Sequence, residues 1–139
     1  MKKGILINSE ISYAIAKMGH MDMLTVCDSG LPIPKEVQRI DVAIKEGLPS
    51  FIETLNTIIE ELIIEEVVIA KETREVSLII YEKIMETIKN IECRDNVKIK
   101  VTEIDHESFK QLTKQSLCIV RTGEYSPYAN IILKSGVLF

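Results

Sequence analysis

Two histidines, His20 and His106, are the only side chains of this 139-residue sequence that ordinarily titrate near neutral pH. His20 follows Gly19 at a helix-to-strand junction, and His106 follows Asp105 at the start of a helix. An imidazole paired with one carboxylate, such as Asp28, suffices for proton traffic on a small polar substrate. A boundary histidine also serves as a cap or a surface residue, so position alone does not separate the two roles. A metal is the first competing reading, with Asp22 or Asp28 joining the histidines. His20 and His106 share no short ligand spacing, however, and the pattern points away from a metal site.

Covalent catalysis has less to work with. Cys27 falls inside an apolar run, and Ser126-Pro127 lacks the G-x-S-x-G setting of an activated serine. Neither glycine-rich phosphate signature occurs, so no nucleotide is implied. The densest polar and aromatic segment is Arg121-Thr122-Gly123-Glu124-Tyr125-Ser126-Pro127-Tyr128-Ala129-Asn130. On composition it is a glycine-and-proline turn between strands. As a site it offers donors, acceptors and aromatic faces suited to a sugar-like, polyhydroxylated ligand.

The elements that must position these residues alternate in hydrophobic period. Helical spacing marks Ser9–Met18, about Ser50–Leu62, about Thr73–Asn90, and a short segment from Asp105 to about Gln115. Strand patterns mark Met23–Cys27, Arg39–Ile44, Val67–Ala70, Val97–Ile104, Leu117–Arg121 and Tyr128–Leu133. Strands separated by helices predict a single α/β domain over residues 1–139, with a largely parallel sheet and helices on its faces. Ligands in such sheets sit beyond the strand ends. The irregular segments Asp28–Pro34 and Thr122–Pro127 each follow a predicted strand, which makes them the expected site.

Composition narrows the class. Lys and Arg number 17 against 21 Asp and Glu, a net charge of −4, and no basic cluster suits nucleic acid. The apolar runs are far shorter than the ~20 residues of a spanning helix. The polar Asn8 and Glu10 interrupt any signal-peptide core, and three widely spaced cysteines read as reduced thiols, so a cytoplasmic protein is expected. The apolar fraction of 46%, with mean hydropathy +0.13, is high for a small monomer and predicts burial between subunits.

Several segments together resemble one family. They are Lys3-Gly4-Ile5-Leu6-Ile7-Asn8-Ser9-Glu10, Gly19-His20, Asp28-Ser29-Gly30-Leu31-Pro32-Ile33-Pro34, Arg39-Ile40-Asp41, Gly47-Leu48-Pro49-Ser50-Phe51, Arg121-Thr122-Gly123-Glu124 and Pro127-Tyr128-Ala129-Asn130-Ile131. In this order they are similar to the D-ribose pyranases, relatives of the fucose mutarotases, over essentially the whole chain. The resemblance implies a cofactor-free isomerase that interconverts the pyranose and furanose forms of ribose. It implies His20 as general acid, and substrate-binding roles for Asp28, His106, Tyr128, Ala129 and Asn130, with Lys110 as a further candidate. It also implies a ring-like homo-oligomer whose sites are completed at subunit contacts. Two alternatives stand beside it: a fucose-type mutarotase, and a module that binds a pentose without transforming it.

Overall fold

The computed structural model describes all 139 residues. Five strands run parallel: β1 (Met23–Cys27), β2 (Gln38–Asp41), β3 (Ile64–Ala70), β4 (Lys100–Ile104) and β5 (Cys118–Arg121). The sixth, β6 (Ile131–Ser135), lies antiparallel between β1 and β3, in the order β2-β5-β1-β6-β3-β4. The sheet is therefore largely parallel, with one reversed strand at its centre.

Side-chain alternation along the strands sorts the core onto two faces. Leu24, Val26, Val67, Ile69, Val120, Ile131 and Leu133 point to one face. There they meet α1 (Ser9–Lys17), α2 (Phe51–Ile59) and α4 (Leu78–Asp95), through Ile11, Leu55, Ile58, Ile84 and Ile88. Cys27, Val68, Ile119 and Ile132 point the other way, onto Phe109 of α5 (His106–Leu112) and onto Leu31 and Val37. The buried thiols of Cys27 and Cys118 are pushed up by desolvation, Cys118 to about 11, so neither supplies a thiolate. No helix is long and apolar enough to cross a membrane.

Local signals place the helix starts. Asn8 accepts from the Ile11 N–H, Ser50 and Glu53 form a capping box, and Asp105 accepts from the Ser108 N–H. Several expected boundaries differ; β3, for one, begins at Ile64 rather than Val67. The expected helix Thr73–Asn90 is two helices, α3 (Lys71–Val76) and α4, broken at Ser77. There the Ser77 hydroxyl donates to the Pro127 carbonyl at 2.6 Å, while the Thr73 hydroxyl donates to that of Tyr128 at 2.8 Å. The last strand starts at Ile131 rather than Tyr128, because Tyr128 is left-handed with φ 60°. β2 stops at Asp41, whose carboxylate turns back onto the Ala43 N–H. β4 starts at Lys100 rather than Val97, since Asn96, left-handed with φ 52°, ends α4 and the chain must then climb back to the sheet.

Glu66 on β3 is 8% exposed and accepts from the Thr102 hydroxyl at 2.6 Å and Lys134 at 2.9 Å, with Lys100 at 3.3 Å. Desolvation pushes its carboxyl up, but these three donors outweigh it and hold the group at about 2. A depressed carboxyl stabilises the fold above its unfolded value, and that contribution is lost as pH falls through the folded value. Chemical denaturation should show stability dropping by about 2–3 kcal/mol between about pH 5 and pH 2. Glu66→Gln should flatten that part of the profile; an unchanged acid limb would remove Glu66 from the account.

Candidate functional site

All five parallel strands end on one edge of the sheet, where β6 also begins, and a cleft of about 380 Å³ opens there. Its walls are Asp28–Pro32 and Glu124–Tyr128, drawn from the expected irregular segments Asp28–Pro34 and Thr122–Pro127 with Tyr128 added, joined by His106 and Asn130. Volume and polarity suit a small ligand better than a macromolecule.

The two segments are bonded to each other. The Thr122 hydroxyl donates to the Cys27 carbonyl at 2.8 Å, and the Ser29 N–H donates to the Glu124 carbonyl at 2.8 Å. Arg121 donates to the Ser29 carbonyl and pairs with Asp41 at 3.1 Å, so its guanidinium braces the loop from outside the cleft. Glu124 accepts from the N–H groups of Ser126 and Phe51. Desolvation pushes the Glu124 carboxyl up, and these donors bring it net below the usual carboxylate range.

Asp28 is the hinge of the arrangement. One carboxylate oxygen accepts from the Gly30 and Leu31 N–H groups at 2.9 and 2.8 Å. The other accepts from the Asn130 amide at 2.9 Å, while the Asn130 amide oxygen accepts from the Asp28 N–H at 2.9 Å. Burial pushes the Asp28 carboxyl up, and the N–H groups of Gly30, Asn130 and Leu31 and the nearby His106 oppose that without overcoming it.

The His106 ring lies edge-on to Tyr128, centroids 4.9 Å apart at 87°, and parallel to Phe109 at 6.3 Å. Tyr128 holds its unusual backbone because its carbonyl accepts from both Thr73 and the Asn130 N–H. The cleft thus presents an imidazole, a phenol ring, a carboxylate and an amide to one small volume. Such a set can hold hydroxyl groups and move a proton.

Asp28, His106, Tyr128 and Asn130 all line this cleft. Ala129 follows Tyr128, but its side chain is fully buried in the core. Lys110 pairs with Glu107 at 2.6 Å and is not among the lining residues. His20 is far away. It lies at the opposite edge of the sheet, beyond the five residues of β1, roughly 17 Å of strand. There its Nε2 meets a Glu65 carboxylate oxygen at 2.9 Å, with just over half the side chain exposed. A pairing of His20 with Asp28 within one chain is therefore excluded. No three His, Cys, Asp or Glu side chains converge on a common point.

Glu72, whose carboxylate accepts the His106 backbone N–H at 3.2 Å, and Thr73 and Ser77, which hold the Tyr128 and Pro127 carbonyls, lie in a segment with no diagnostic motif. Glu72 had one available signal: it comes two residues after the apolar run of β3, at the strand-end position where α/β sites gather.

Residues 1–138 match the RbsD / FucU transport protein family. A D-ribose pyranase of Clostridium perfringens is 55% identical over all 139 residues, covering both chains completely. One from Vibrio cholerae is 49% identical over the same full span. Among solved structures, Bacillus subtilis RbsD complexed with D-ribose superposes with a TM-score of 0.91 at 36% identity, covering all of both chains. A fucose mutarotase from Streptococcus pneumoniae shares the fold, with a TM-score of 0.80 at 21% identity over all of both chains.

Proposed function

Since the chain belongs to the RbsD / FucU transport protein family, we propose that it is a D-ribose pyranase, an isomerase exchanging the pyranose and furanose rings of D-ribose. The observation that carries this reading is full-length identity of 55% to a relative of that name. The cleft supports it with groups suited to sugar hydroxyls.

The reaction needs only proton transfer. A base takes the proton of the anomeric hydroxyl, whose electrons form the C1 carbonyl as the bond from C1 to the ring oxygen breaks. An acid delivers a proton to the departing ring oxygen. In the open aldehyde a different hydroxyl attacks C1 and gives its proton to the now deprotonated acid, while the carbonyl oxygen takes back the proton held by the protonated base. Protons balance, and no cofactor is called for. Asp28 and Asn130 hold hydroxyls, and Tyr128 flanks the sugar. The backbone at Ala129 carries Tyr128 and Asn130 into place.

His20 is the proposed general acid, and its remoteness within one chain means that it is supplied by a neighbouring copy. The exposed apolar side chains of Ile5, Ile7 and Ile44 supply surface for such a contact, at 69%, 82% and 77% exposure. The proposed assembly is a ring-like homo-oligomer with a site at each contact. Free thiols at Cys27, Cys93 and Cys118 fit an enzyme working in the cytoplasm.

Saturation transfer between the pyranose and furanose NMR signals of D-ribose tests the reaction directly. Catalytic amounts of protein should accelerate exchange for ribose well above that for the anomers of L-fucose. Faster exchange with fucose alone would make the chain a mutarotase of that type. Ribose binding without acceleration would leave a pentose-binding module.

A further inference from the structure

We propose that Glu65 is a positioning residue for His20: its carboxylate takes ring Nε2 and leaves Nδ1 as the nitrogen that exchanges a proton with the sugar. Glu65 owes its place to an irregularity in β3. Ile64 lies opposite Ser135 of β6 and Glu66 opposite Lys134, so two steps along β3 match one along β6. Glu65 is therefore the extra residue of a β-bulge, without a partner in the ladder. The bulge also shifts the side-chain alternation. Ile64 and Val67 pack on the same face, although three residues apart they would take opposite faces of a regular strand. A bulge re-aims a side chain, and this one sends the Glu65 carboxylate to His20.

The backbone at His20 is tied to the same strand end. The Met21 N–H donates to the Ser135 carbonyl and the Ser135 N–H to the Asp22 carbonyl, both at 2.9 Å. The Ser135 hydroxyl donates to the Gly19 carbonyl, and the Asp22 carboxylate accepts from the Gly19 N–H at 2.8 Å. His20 thus stands on a braced turn, and only its ring remains to be oriented. Glu65 Oε2 meets Nε2 at 2.9 Å, and the ring has no other ion-pair partner. A carboxylate only accepts, so Nε2 keeps its proton whether the ring is neutral or charged. Nδ1 bonds nothing within the chain, and its proton is the one free to transfer.

The consequence for catalysis rests on the ribose-isomerase reading, with His20 reaching a neighbouring copy's cleft. Nδ1–H of the imidazolium gives its proton to the ring oxygen as the bond to C1 breaks, which leaves a neutral ring protonated on Nε2. On closure the attacking hydroxyl returns a proton to Nδ1. Glu65 touches no sugar and acts through His20 alone.

The test is ¹⁵N NMR of histidine-labelled protein in its native assembly, with His106→Ala used only to assign the two rings. In the wild type the neutral His20 ring should carry its proton on Nε2, with that N–H held back from exchange with water. In Glu65→Ala the N–H signal should vanish and both tautomers should appear. Ribose exchange should fall about 10-fold in kcat with little change in KM, less than the loss from His20→Ala itself. In a His20→Ala background the same substitution should cost nothing further, because the two residues act as one unit. A wild-type ring protonated on Nδ1, an N–H unchanged by Glu65→Ala, or an equal further loss in the His20→Ala background would overturn the proposal. The wild-type spectrum decides the pairing even if the variant does not assemble. The expected ring states in a protein that does not accelerate ribose exchange would uphold the Glu65–His20 pairing and sink the ribose reading instead.

Discussion

His20→Ala should slow pyranose–furanose exchange by about 10²–10⁴-fold while leaving the fold and the assembly intact. The size follows from what a positioned general acid contributes. The selectivity follows from where His20 sits: its side chain is half exposed, and its one partner is Glu65, itself partly exposed. Losing such a pair costs about 0–1 kcal/mol, too little to unfold the chain. Thermal unfolding and light scattering should therefore be unchanged, and a variant with the full wild-type rate would remove His20 as the acid.

The same variant tests whether the acid crosses a subunit boundary. Mixed with His106→Ala chains by co-expression, His20→Ala chains bring an intact cleft and their partners bring an intact His20. In random assemblies about a quarter of the contacts then combine the two, and activity should return to that extent. Activity from neither variant alone nor from the mixture would mean that His20 and the cleft do not work across a contact. A scattering mass of 15.8 kDa, that of one chain, would say the same.

Asn130→Ala should lower stability by about 2–5 kcal/mol and abolish saturable ribose binding. Asn130 is 1% exposed and spends both ends of its amide on Asp28. Truncation orphans the buried Asp28 N–H and removes one donor from a carboxylate that burial already disfavours. Each loss carries about 1–3 kcal/mol, against the 5–15 kcal/mol that typically separates folded from unfolded domains. A fall in Tm of about 10 °C is expected.

Asn130→Asp sharpens this prediction. It sets a second carboxyl against Asp28, so folding raises the pKa of the pair further. A raised carboxyl stabilises the fold only while protonated, so this variant should be most stable in acid and lose stability as pH rises through the folded value. Denaturant titrations of both variants, with ribose isotherms alongside, check the set. A loss below about 1 kcal/mol for Asn130→Ala would mean that the clamp does not hold the loop.

Most of the secondary structure that builds the sheet follows from local residue patterns. Met23–Cys27 reads as a buried strand because its apolar side chains must be covered, and Asp105 announces α5 because a carboxylate there caps exposed N–H groups. The two irregular segments were also legible, since Pro32, Pro34, Gly123 and Pro127 do not fit the interior of a regular element. These features depend on a residue and its near neighbours along the chain.

Tertiary structure decided the rest, because the forces involved join residues distant in sequence. The break at Ser77 comes from hydroxyls bonding carbonyls about fifty residues away, and no local propensity announces it. The antiparallel direction of β6 follows from where the chain must enter between β1 and β3, which its apolar residues alone leave undetermined. Motif spacing made Asp28 and His20 look like neighbours, but a strand between them sends its two ends to opposite edges of the sheet. Glu72, whose one sequence signal is its place just after β3, meets the His106 N–H only because β3 and β4 align in register.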